Sequence, residues 1–234
     1  MTKAFDFPYR VVHSRRKTAA IHVSQRGVEV RLPHGISESF AQDFLRSKIS
    51  WVTQKWDQQQ SKASQLPKLV IGEPILWFGQ PYTLVYQRSA RRKSVFLQAN
   101  CFVIEAPCEP DTGTLAKLLE AFFKEQAKRS LPDRTKTTAR DLGLESRLSQ
   151  VTFRRTKTKW GHCTARGVIQ YNWLILGAPQ EVVDYLVCHE VCHLKHPHHG
   201  AAFWRMVERA CPDYRRHEHW LKEQGHRLDW VPSF

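Results

Sequence analysis

No stretch of this chain approaches the roughly 18 consecutive apolar residues that a membrane span needs, and its opening residues, MTKAFDFPYRVV, lack the long apolar core of a secretory signal peptide. The expectation from both absences is a cytoplasmic protein with no membrane association. Methionine is almost missing, since Met206 is the only one besides Met1. Glycine is sparse, 11 in 234 residues, and none of it forms the glycine-rich loop with which Walker-type proteins cradle phosphates. Acidic side chains are in deficit, 22 Asp and Glu against 36 Lys and Arg, so the net charge is +14. A surface of that sign attracts polyanions at long range, and weak binding of nucleic acid or nucleotides is therefore one expectation. The 6 cysteines stand at irregular intervals that match no small disulfide scaffold, and they read as reduced, mostly buried thiols.

What is present is an ordinary globular composition, 41% hydrophobic and 25% charged. Two stretches of the first half resemble each other: SRRKTAAIHVSQRGVEVRLP at 14–33 and ARRKSVFLQANCFVIEAP at 90–107. Each has an Arg-Arg-Lys triplet, two alternating apolar segments around a short turn, and a closing proline, the pattern of a β-hairpin. A helical pattern follows each one. The first is opened by Ser37 and carries Phe40, Phe44, Ile49, Trp51, Val52 and Trp56; the second is opened by Asp111 or Thr112 and carries Leu115, Leu118, Leu119, Phe122 and Phe123. Two hairpin-helix units thus make a β-rich N-terminal part over residues 1–110, leaving 111–234 as a second part. A break is expected near 131–143, then a strand at 149–155, a polar turn at 156–167 and a strand at 168–176.

A helix follows with a well-marked start and finish. Pro179 suits a first turn and Glu181 favours the positive end of the helix dipole, while Pro197 disfavours helical geometry at His196. Within it lies HEVCHLKHPHHG, residues 189–200. His189 and His193 are four apart, so one stands a turn above the other on the same face and both can grip one ion. Glu190, beside the first ligand, can reach water held at the ion without binding the ion itself. A catalytic zinc site needs a third protein ligand and an open position. His196, His198 and His199 compete for that place, and the HExxHxxGxxH spacing selects His199, with Pro197 in place of glycine as the device that turns the chain. The accompanying Met-turn is not visible. Cys188 and Cys192, about 100° around the helix from the histidines, read as core packing.

The block RRTKTKWGHCTARGVIQYNWLILGAPQEVVDYLVCHEVCHLKHPHHGAAFW, residues 154–204, resembles the YgjP-like metallopeptidases, relatives of the WLM and SprT families with a zincin-type fold. The matching positions are Arg154, Lys157, Trp160, Gly161, Cys163, Gly167, Asn172, Pro179, Tyr185, His189, Glu190, His193, His199, Phe203 and Trp204. The resemblance implies an α+β protein whose HExxH helix lies beside a small sheet, with zinc on His189, His193 and His199 and Glu190 as general base. One departure is His162, where the family usually has serine. The functional expectation is a zinc-dependent metallohydrolase acting on peptides or proteins, with His162, Lys157 or Tyr171 as candidate donors to substrate. The Arg154, Arg155, Lys157, Lys159 and Arg166 cluster raises an alternative, phosphoanhydride hydrolysis of a nucleoside triphosphate. A non-enzymatic nucleic-acid-binding module is a third reading.

Overall fold

The computed structural model describes residues 5–90, 93–156 and 158–231. Two compact units divide the chain, Met1–Leu66 and Pro67–Phe234. In the first, β2 (Ala20–Ser24) and β3 (Gly27–Pro33) form the expected hairpin, and β1 (Tyr9–Ser14) lies parallel to β3 on its other side. Alternation decides which face is covered: Val28, Val30 and Leu32 of β3 point into a core with Phe7, Ala41, Leu45 and Val52. The single helix expected after Ser37 is two, α1 (Glu38–Ser47) and α2 (Ile49–Ser64), because Lys48 leaves helical geometry at φ −118°, ψ 15°.

In the second unit β4 (Pro74–Trp77), β5 (Gln80–Arg88), β6 (Ser94–Gln98) and β7 (Cys101–Ala106) form a sheet in the order β4-β5-β7-β6. The hairpin read at 90–107 is β6 with β7, and β5 runs parallel to β7. Phe102 and Ile104 of this sheet share one core with Leu119, Phe123 and Trp173 from later in the chain. For that reason the compact units part between Leu66 and Pro67 and not at residue 110. A smaller sheet holds β8 (Gln150–Phe153), β9 (Gly161–Cys163) and β10 (Val168–Tyr171) in the order β8-β10-β9. All three sheets contain one construction, a strand parallel to the strand two places later with the intervening strand antiparallel on its far side, and the four-stranded sheet adds β4 antiparallel to β5.

The connecting helix α3 (Thr112–Asp141) starts where expected, with the Asp111 carboxylate accepting from Thr114 N–H at 2.7 Å. It does not break at Pro132. A helical proline costs about 3 kcal/mol, but Phe123, Ala127, Leu131, Thr135 and Ala139 are all buried in steps of four through that point, and breaking would expose them. Steps of four drift about 40° per turn, so the buried stripe winds around α3. The helix accordingly packs against β6 as well as against α4 (Gln180–Cys192), β8 and the 3-10 segment Trp173–Gly177.

Two further expectations are corrected. The strand at 168–176 ends at Tyr171, because the Asn172 side chain accepts from Leu174 N–H at 3.1 Å and starts the 3-10 segment. The polar turn at 156–167 contains β9. Helices α5 (Ala201–Ala210) and α6 (Tyr214–Gln224) close the unit. The cysteines are unpaired as expected; Cys188 and Cys192 are buried, Cys101, Cys163 and Cys211 partly so, and Cys108 is exposed. Among the described residues no helix is long and apolar enough to cross a membrane.

Candidate metal centre

Residues of α4 face the core nearly all round, and the helix carries His189 and Glu190 in its last turn with His193 at its C-cap. The chain then unwinds: His196 N–H reaches back to Cys192 O at 3.0 Å, and the Arg147 guanidinium donates to Leu194 O at 3.2 Å. This short turn through Pro197 brings His199 back over the helix end. The Nε2 atoms of His189, His193 and His199 stand 3.2, 3.1 and 3.1 Å apart. His196 and His198 are not in the cluster.

The donor set fits a tetrahedral cation. Zinc–nitrogen bonds of about 2.0–2.1 Å at tetrahedral angles separate the nitrogens by about 3.3–3.4 Å, close to what is found. His193 Nδ1 lies 2.9 Å from His196 O and His189 Nδ1 lies 3.4 Å from the Tyr185 hydroxyl. Such partners keep the proton on Nδ1 and leave the Nε2 lone pairs directed at one another. Burial pushes the His189 imidazole down to about 3, with its two histidine neighbours adding to the effect, and burial lowers His193 as well. Both rings are therefore neutral near pH 7, the state a metal ligand needs. Helix α5 braces them: Phe203 stacks on His193 at 4.4 Å, and Trp204 stacks on His199 at 5.6 Å.

Glu190 is 4% exposed, and its Oε2 has no hydrogen-bond partner among the described residues. Burial raises its carboxyl to about 8 in spite of the opposing charge of Lys159. Gly161 of β9 makes the placement possible, since a Cβ there would lie 2.4 Å from Glu190 Oε1 and 2.6 Å from its Cδ. Glycine is required here for close approach.

These groups line a cavity of about 440 Å³ together with Lys159, Trp160, His162 and Cys163 and with Tyr185, Leu186, Pro197, Glu218 and Leu221. Of the three residues read from the sequence as substrate donors, His162 lines the cavity. Tyr171 does not; it is fully buried, its hydroxyl 3.0 Å from Thr135 Oγ1, and burial pushes its phenol up. Lys157 lies outside the described residues. The basic cluster is dispersed in role, because the Arg155 guanidinium is taken up by Asp229 at 2.9 Å and by Val231 O at 3.0 Å.

The metallopeptidase domain of the YgjP-like family matches residues 17–224. The chain belongs to that family. At family level the YgjP-like chain is a metal-dependent peptidase, and its substrates are peptides or proteins. Among solved structures, the metallopeptidase zymogen of Pyrococcus abyssi abylysin is similar over 41% of the YgjP-like chain and 95% of its own, at 23% identity and a TM-score of 0.37. No curated protein matches significantly. The sequence reading missed β9, Gly161 as a cradle, Tyr185 as the partner of His189, and the contribution of α6. Tyr185 was within reach, standing one helical turn before His189 on the same face.

Proposed function

We propose that this YgjP-like protein is a zinc peptidase of zincin type that holds one ion on His189, His193 and His199 and uses Glu190 as general base. The observation that carries this reading is the convergence of three imidazole nitrogens beside a buried carboxyl with an unpartnered oxygen. When bound, zinc supplies Lewis acidity, acidifying water and polarising a carbonyl. Glu190 accepts the proton of the attacking water on its free Oε2 and delivers it to the leaving amine nitrogen. Burial raises this carboxyl, which strengthens it as a proton acceptor.

Substrate is bound along β9. The central strand β10 is hydrogen-bonded on both sides, by β8 and by β9, so a peptide cannot pair with it. β9 is the edge strand and lines the cavity, and an extended peptide adds to that edge. His162 on β9 is the donor we assign to the carbonyl oxygen of the scissile bond; Tyr171, bonded to Thr135, has no access.

The test is zinc-loaded protein against unfolded protein substrates and, in parallel, a panel of nucleoside triphosphates, each beside Glu190→Gln. The expected outcome is proteolysis that the variant loses by several orders of magnitude while keeping its zinc. Nucleotide hydrolysis without proteolysis would replace this reading with the phosphoanhydride one.

A further inference from the structure

Substrate selection can be read from the charges that face the cavity, on the basis of the peptidase reading above. Three charged side chains besides the histidines line it: Lys159, Glu190 and Glu218. Glu190 is buried against Gly161 and committed to proton transfer. Glu218 is different. It is solvent-exposed on α6 and makes no hydrogen bond or ion pair with any described residue.

The local sequence explains why α6 offers this one group. Along YRRHEHWLKEQ, Tyr214 and His217 are buried, anchoring the helix. Glu218 and Leu221, three apart and so on one face, line the cavity, while Arg215 and Arg216 point elsewhere and are absent from its wall. A helix rich in cations therefore turns a carboxylate toward the substrate. Tyr185 of α4 packs against α6 at this point, its ring centroid 6.1 Å from that of His217, the residue before Glu218. The Tyr185 hydroxyl lies 3.4 Å from His189 Nδ1, so α6 meets the cavity at its His189 end. Leu186 and Leu221 supply apolar surface beside it.

Apolar walls ending at an unpaired carboxylate match a group with an aliphatic stem and a cationic head. In a chain of net charge +14 the long-range field favours anions, and Glu218 is the exposed carboxylate among the described residues that line the cavity, opposite in sign to Lys159. We propose that Glu218 is a specificity-determining residue that recognises a positively charged group of the peptide substrate next to the scissile bond, a lysine or arginine side chain or a free N-terminal amine.

The experiment compares zinc-loaded parent, Glu218→Gln and Glu218→Arg on matched peptides with Lys, Ala or Glu at positions flanking one cleavable bond, each with a free and an acetylated N-terminus. Glu208→Gln, an equal charge change on α5 outside the cavity, is the control. The parent should favour Lys over Ala by about tenfold in kcat/KM, the scale of a charge-assisted hydrogen bond. Glu218→Gln should bring that ratio near 1 through KM, and Glu218→Arg should favour Glu. A gain from the free N-terminus that Glu218→Gln abolishes identifies the amine as the recognised group. A parent without cationic preference, or a preference that survives both substitutions, overturns the proposal while leaving the peptidase reading intact. If no peptide is cleaved, the peptidase reading fails, and the same peptides titrated onto Glu190→Gln protein by fluorescence anisotropy still decide: binding that favours Lys and loses that preference with Glu218→Gln supports recognition, and equal binding refutes it.

Discussion

Replacing Glu190 by glutamine should stabilise the metal-free protein, and the gain should depend on pH. In the unfolded chain this carboxyl ionises near its ordinary 4.5; in the folded protein burial holds it at about 8. Between those values the folded state retains a proton that the unfolded state has released, so stability falls as pH rises, by about 1.4 kcal/mol per pH unit. The cost is absent below about 4.5 and complete above about 8. Integrated over the window it reaches about 5 kcal/mol, and at pH 7 it is about 3 kcal/mol. Local opening that admits water to the carboxylate makes these upper values. Glutamine has nearly the same shape and no charge to desolvate, so the difference between variant and parent isolates this one ionisation from every other titrating group. Urea unfolding of metal-stripped parent and Glu190→Gln at pH 5, 6, 7 and 8 measures it. A difference that widens with pH in favour of the variant is expected; a flat difference, or a variant less stable at pH 8, would refute the claim that the base is held in a desolvated, unpartnered state.

Other substitutions test the surroundings of the site. His199→Ala should lose stoichiometric zinc on dialysis, whereas His196→Ala and His198→Ala should retain it, as read by elemental analysis. Gly161→Ala places a methyl group 2.4 Å from Glu190 Oε1, so the carboxylate must move; turnover should fall about 100-fold with zinc still bound, and activity within threefold of the parent would show that the cradle is dispensable. Tyr185→Phe removes a hydroxyl 3.4 Å from His189 Nδ1 and should weaken zinc affinity about tenfold in competition with a chelator, the low end for an outer partner because the contact is long.

The cluster of three histidines was more legible than the residues that surround it. Histidines at 189, 193 and 199 obey spacing rules that depend only on helix pitch and a turn, and the paired hairpins follow from alternation. The misreadings have a common cause, a local signal overruled by burial or by a single side chain. Pro132 signals a break, yet the buried stripe from Phe123 to Ala139 carries α3 through it. VIQYNWLIL is apolar enough for one long strand, but the Asn172 side chain captures Leu174 N–H and ends it. Tyr171 is a polar residue near the motif whose hydroxyl is satisfied inward by Thr135. The three residues of β9 are too short to show a period, and the value of Gly161 lies in what it leaves room for, which only the position of Glu190 reveals.

The proposed donors and the proposed base depend on chain of very different reach. His189, His193 and His199 lie in one short segment whose geometry is set by the end of α4, the turn after it and the bracing rings of Phe203 and Trp204 that follow directly. Glu190 sits in the same segment, but its dry environment depends on β9, which reaches it through the pairing with β10. On the proposed reading, loading and turnover should be separable by sequence distance: damage in the small sheet is expected to leave a chain that takes up its ion and fails to hydrolyse, so that ion content alone would be a poor measure of competent enzyme.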